Sequence, residues 1–227
     1  MATSSSGRIE LGPDFTKHLE LALPRLLAPG ALPDDWDPRA TTYDLTRFDS
    51  DEGFAERFAA ALARIVTEKI DAPAQVREVL TQVGLPFDYA RLGQPLSTVF
   101  ELQVQARTHA PRCFSFASVT KPWLSVIESP RRTLKVRVFA DHVLPVSDEK
   151  KQALRDDGVE LHESWHGELQ RDAAVLTVFV TSKRFTGDVR AVAADAVCFP
   201  VTHGGVLLLN DPERIAPYLS MHYAPEP

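Results

Sequence analysis

Five consecutive residues, His162-Glu163-Ser164-Trp165-His166, have the composition and spacing of a metal-hydrolysis site. On a helix, side chains four apart lie about 6 Å from one another, so two imidazoles can share one metal ion. A carboxylate between them would then act on metal-bound water. On a strand the same imidazoles face one way but sit about 13 Å apart, at roughly 3.3 Å per residue, too far to share a metal. The chemistry therefore hangs on local conformation, and the flanks read as strand. Gly158 ends a preceding helix, and Val159-Glu160-Leu161 alternates at period two into His162. Gly167 follows His166, and glycine disfavours a helix interior by about 1 kcal/mol. We read the string as strand and the match as coincidence. A zinc-dependent hydrolase, with His162 and His166 as ligands and Glu163 as base, is the alternative.

Over those five residues the string resembles the zincin family. That family favours uncharged neighbours, whereas Glu160 and Glu168 flank the string here. Its extended form would continue with a glycine and a third histidine, but Gln170-Arg171-Asp172 follow. Asp188, Asp195 and Glu213 are the later carboxylates available to that alternative.

A second set of reactive side chains stands where predicted strands end. Open α/β sheets bind ligands beyond the carboxyl ends of their strands. The first such end carries Ser118, Thr120 and Lys121, and the next Asp141 and His142. A long apolar strand ends in Thr181, Ser182 and Lys183, and another in Thr202 and His203, followed by Gly204-Gly205. If the strands are parallel, these groups share one crevice. Cations and hydroxyls together suit an anionic or carbonyl-bearing small molecule. His142, Lys183 and His203 are the catalytic candidates, the histidines because imidazole titrates near neutrality. Ser118, Thr120, Lys121, Asp141, Ser182, Thr202, Gly204 and Gly205 are the ligand-binding candidates.

Thr181-Ser182-Lys183, an intervening segment and Gly204-Gly205-Val206-Leu207-Leu208-Leu209 resemble the lysine-to-return-strand region of fold-type I pyridoxal-phosphate enzymes. The resemblance covers about residues 175–215. It implies Lys183 as the Schiff-base residue and an aspartate against the pyridine nitrogen. The strand before Lys183 has no clear aspartate, and Lys183 lies too near Pro227 for the family's usual C-terminal domain.

The elements that must position these groups change character near residue 110. Residues 1–110 read as a helical portion and 111–227 as an α/β portion, together one compact domain. In the first, Asp14 caps a helix to about Leu27 with Phe15, Leu19 and Leu23 as its stripe. Ser50 or Asp51 caps a second, carrying Phe54, Phe58, Leu62 and Ile65. Pro73 opens a third that Gly84 closes, and a fourth spans about Pro95 to Thr108. In the second, strands are predicted at Cys113–Val119, Trp123–Ile127, Leu134–Ala140, Val159–Glu163, Ala174–Thr181, Ala196–Val201 and Val206–Leu209. Ser147 caps a helix to Asp157 ended by Gly158, and Asp211-Pro212 opens a last one. Strand–helix alternation with short connections predicts an α/β fold, a mostly parallel sheet with flanking helices behind a helical N-terminal portion.

With a net charge of −6, the 227-residue chain lacks the basic footprint that nucleic acid or an anionic membrane requires. No run approaches the length of a membrane span, and Met1–Gly7 has no apolar signal core, so a cytoplasmic protein is expected. Cys113 and Cys198 lie in apolar runs and are read as reduced thiols, with one bridge between them the alternative. The expected partner is a small-molecule ligand; self-association is compatible with the sequence, and no cofactor is specified. The leading reading is an enzyme of small-molecule metabolism at the strand-end crevice. The others are a non-catalytic binding or assembly subunit, the zinc hydrolase, and a truncated domain like that of a pyridoxal-phosphate enzyme.

Overall fold

The computed structural model describes residues 11–36, 51–85, 95–128 and 134–215. They fall into two compact units, one running to Ala106 and the other beginning at Arg107.

The first unit is built from helices α1 (Phe15–Leu26), α2 (Asp51–Thr67), α3 (Pro73–Thr81) and most of α4 (Pro95–Thr108). The buried stripe of α1 is Phe15, Leu19, Ala22 and Leu26, one turn apart throughout. The predicted Leu23 falls off that stripe and stays 40% exposed. Asp14 stands at the N-cap position but its side chain makes no cap hydrogen bond. Ser50, the other proposed cap, lies outside the described residues. Phe54, Phe58, Leu62 and Ile65 of α2 are fully buried. Phe54 and Phe58 stack at 5.9 Å, with Trp36 tilted against both.

The second unit carries six strands: β1 (Arg112–Phe116), β2 (Lys135–Ala140), β3 (Val159–His162), β4 (Val175–Val180), β5 (Ala196–Val201) and β6 (Gly204–Leu209). Their order is β1-β6-β5-β4-β2-β3. Ladders β2–β3, β2–β4 and β4–β5 are parallel, and β6 runs antiparallel to both β5 and β1. Five strands therefore point one way and only β6 is reversed. The predicted strand at Trp123–Ile127 is instead helix α5 (Lys121–Ile127). Pro122 suits its first turn, and Trp123, Val126 and Ile127 fall on one helical face, fully buried. Helix α6 (Asp148–Asp156) begins as predicted, with the Ser147 hydroxyl accepting the Lys150 amide at 3.3 Å, and ends at Gly158 with φ +86°. Both helices pack on the face formed by Val136, Val138, Leu176, Val178, Cys198 and Leu207. Paired residues share a face and neighbours alternate, so Cys113 (opposite Leu208) and Cys198 (opposite Leu207) lie on opposite faces and cannot bridge. No helix among the described residues is long and apolar enough to cross a membrane.

Candidate functional site

Because β1, β2, β4 and β5 point the same way, their carboxyl ends lie along one edge, where β6 also begins. All the strand-end candidates therefore stand on that edge, but register separates them. Ala140 lies opposite Val180, and Val180 opposite Cys198. From Cys198, β5 continues to Val201, an overhang of about 10 Å at roughly 3.3 Å per residue. The end of β2 and β4 thus forms one patch, and the β5–β6 turn with the end of β1 forms another.

The first patch is organised by Asp141. Its Oδ2 accepts the Thr181 hydroxyl at 2.6 Å, and its Oδ1 accepts the Ser182 amide at 2.7 Å. His142 Nδ1 reaches the same Oδ1 at 2.8 Å. Burial alone would raise the Asp141 pKa, but the Thr181, Ser182 and His142 hydrogen bonds outweigh it and hold the carboxyl below its ordinary value. An ionised carboxylate only accepts, so His142 donates to it from Nδ1. Nε2 has no partner among the described residues. The Lys183 amide donates to Thr181 Oγ1 at 3.2 Å, and its side chain is exposed, as is that of Arg184. Sequence reasoning named Thr181, Ser182 and Lys183 but passed over Arg184, a second cation at the same strand end.

In the second patch Ser118 and the glycine candidates serve the fold. Ser118 Oγ accepts the amides of Thr120 and Lys121 at 3.3 and 3.4 Å and lies 3.1 Å from Thr120 Oγ1. It thereby closes the first turn of α5. Gly204 and Gly205 are not a turn; they open β6, and the turn is Thr202-His203, both exposed. A Cβ on Gly204 would lie 1.9 Å from the Phe116 carbonyl oxygen, and one on Gly205 would lie 2.9 Å from that of Ser118. Glycine is required there by the close approach of the end of β1 at Gly204 and of Pro122 with the Ser118–Val119 backbone at Gly205.

The 162–166 string forms no catalytic helix. His162 ends β3 opposite Phe139, and the two rings stack at 4.7 Å. Ser164 takes a left-handed φ of 53°, and Trp165 donates its amide to Ala140 at 2.7 Å. The geometry that would let His162 and His166 share a metal is absent, which overturns the zinc alternative. Among the described residues no three His, Cys, Asp or Glu side chains are grouped to hold a metal ion. Glu163 has a different task. Its Oε1 accepts the Leu144 amide at 2.6 Å and the buried Lys151 ammonium at 2.9 Å. Burial would raise its pKa, but Lys151, the Leu144 amide and Arg155 bring it below the ordinary value.

At the opposite edge a buried pair escaped sequence reasoning. Asp195 accepts the Thr177 amide at 2.7 Å and Arg214 at 2.9 Å, while Arg214 also donates to Ala173. Asn210 donates to the carbonyls of Val189, Val192 and Ala194. The available signal was an aspartate inside the apolar run Ala193–Cys198, which requires a partner.

No protein-family model matches the chain, and no curated protein does. Among solved structures, it is similar to a methionine gamma lyase from Micromonospora echinospora, with 16% identity, 60% of this chain and 50% of that one covered, and a TM-score of 0.45. It is also similar to the cystathionine gamma-lyase from yeast, with 14% identity, 61% and 48% covered, and a TM-score of 0.45. The O-acetylhomoserine sulfhydrylase of Wolinella succinogenes matches at 15% identity, 57% and 52% covered, and a TM-score of 0.37. The chain spans about half the length of these proteins. Likeness of this degree transfers no residue role.

Proposed function

We propose that the chain acts on a small anionic or carbonyl-bearing metabolite at the carboxyl edge of its sheet, with His142 as the acid–base group. The observation that carries this reading is the hydrogen-bonded pair Asp141–His142. A charged carboxylate fixes Nδ1 as the donor and leaves Nε2 without a partner among the described residues, as proton transfer requires. Thr181 and the Ser182 amide hold the carboxylate in turn. Lys183 and Arg184 supply positive charge beside it. His203 stands on the other patch and belongs to a separate group.

The test follows the His142 ring by NMR while pyruvate, as the probe for a carbonyl-bearing anion, is added. Saturable shifts that vanish in Lys183→Ala, with the fold unchanged, support the reading. Unchanged His142 resonances at millimolar probe, or unfolding of His142→Ala, refute it. A non-catalytic binding subunit is the second reading. It draws on the commitment of Asp141, Glu163 and Asp195 to donors within the fold. Saturable binding of pyruvate with no His142-dependent exchange of its methyl protons into deuterium oxide assigns that role.

A further inference from the structure

We infer that this chain does not hold pyridoxal phosphate, despite the resemblance over residues 175–215, and is a scaffold that works without it. The cofactor makes three demands on a protein. A lysine amine must form the imine, a carboxylate must meet the pyridine nitrogen, and a group of N–H donors or cations must receive the phosphate. Each can be checked against named atoms.

The resemblance set Lys183 ahead of a return strand. In the structure Lys183 follows β4, and all of β5 intervenes before the reversed strand β6. The residues joining β5 to β6 are Thr202 and His203. A hydroxyl and an imidazole stand where the amine would be needed, and neither forms an imine. Lys183 itself lies one strand over, beside the β2 end rather than the β5–β6 turn.

The carboxylate fails for a different reason. Asp141 is the acid at the Lys183 end of the sheet, and both lone-pair directions of its Oδ1 are taken, by Ser182 N and His142 Nδ1. Its Oδ2 holds the Thr181 hydroxyl at 2.6 Å. Three of the carboxylate's four acceptor directions are thus committed to protein donors, and only one, on Oδ2, is left for a pyridinium. Asp195, the most enclosed acid among the described residues, lies at the opposite edge and is paired with Arg214.

The phosphate demand fails at the glycine pair. Space beside Gly204 and Gly205 is filled by the carbonyl oxygens of Phe116 and Ser118, which are acceptors and would repel a dianion. The nearby amides of Thr120 and Lys121 are already taken by the Ser118 hydroxyl. Lys183 and Arg184 offer charge, but from an exposed loop and on the same side as the Lys183 amine itself, whereas a cofactor needs its phosphate and aldehyde held apart.

The experiment adds pyridoxal phosphate to the full chain and follows the imine absorbance band. Borohydride reduction and peptide mass mapping then locate the label, with pyridoxal, which lacks the phosphate, run alongside. The expected result is weak, non-saturating label spread over several lysines and unchanged in total by Lys183→Ala. A saturable band of one imine per chain, confined to one lysine and dependent on the phosphate, overturns the inference. The readout is covalent chemistry alone, so either result is distinct from success or failure of the His142 titration.

Discussion

Substituting Glu163 separates its two readings cleanly. A catalytic base can be removed with little effect on stability, because its role is in the reaction. A clamp cannot. Glu163 accepts the Leu144 amide at 2.6 Å and the Lys151 ammonium at 2.9 Å, and the side chains of Lys151 and Glu163 are 7% and 20% exposed. Removing one partner of a fully buried ion pair costs about 3–5 kcal/mol. The partial exposure of Glu163 admits water and reduces this, while the orphaned Leu144 amide restores about 1 kcal/mol or more. Glu163→Ala should therefore cost about 3 kcal/mol. With a urea m-value of about 1–3 kcal/mol/M, the midpoint of the second unit falls by roughly 1–3 M. Glu163→Gln keeps an oxygen for Leu144 and should lose less. Replacing both partners, Glu163→Leu with Lys151→Met, should recover most of the loss, because no charge is left enclosed. The pH dependence has a definite sign. The folded pKa is depressed, so the contribution is complete above the unfolded value, about 4.3, and is lost as pH falls through the lower folded value. The gap between parent and variant narrows only in acid. The clamp is refuted if Glu163→Ala stays within about 0.5 kcal/mol of the parent, the range of an ordinary surface change.

Two further substitutions probe the same architecture. Gly204→Ala places a Cβ 1.9 Å from the Phe116 carbonyl and should cost about 3 kcal/mol, the upper end for overpacking, with loss of amide protection along β1 and β6. Gly12→Ala, with nothing within 4 Å, should leave the urea midpoint unchanged; equal effects would discredit the close-approach argument. Asp195→Asn removes the charge facing Arg214, which is 21% exposed, so it should lower stability by less than the about 3–5 kcal/mol of a fully buried pair, and an unchanged thermal midpoint would show that the pair contributes little.

What the sequence made legible was whatever is enforced locally. The Ser147 cap, the left-handed Gly158 and the apolar run of β4 are short-range signals, and each element they bound was readable. Helix α5 was not, because Trp123, Val126 and Ile127 favour strands by intrinsic preference and become helical only through their shared burial. The string at 162–166 was read as strand, but the strand ends at His162 and the chain is irregular over 163–166; Glu163 gains its meaning from Lys151 and Leu144, which a motif does not contain. Likewise, the parallel order of strand ends was foreseen, while the overhang of β5 depends on a register that only long-range pairing sets.

That register reshapes the functional argument. Polar residues at strand ends are of two kinds, and position along the chain does not distinguish them. Asp141 and Thr181 are consumed in fastening one strand end to the next, Ser118 in closing the first turn of α5, and Glu163 in holding the Leu144 amide and Lys151. Subtracting them leaves the side chains of His142, Lys183 and Arg184 on one patch, and those of Lys121 and His203 on the other. The remainder is basic, in a chain whose net charge is −6. A local excess of cations at the end of a low-dielectric sheet concentrates anions there whatever the net charge of the whole protein. Of the two patches, only the first adds an oriented imidazole to that attraction. It is therefore where binding of an anion could be converted into proton transfer, and where the Asp141–His142 contact should be tested first.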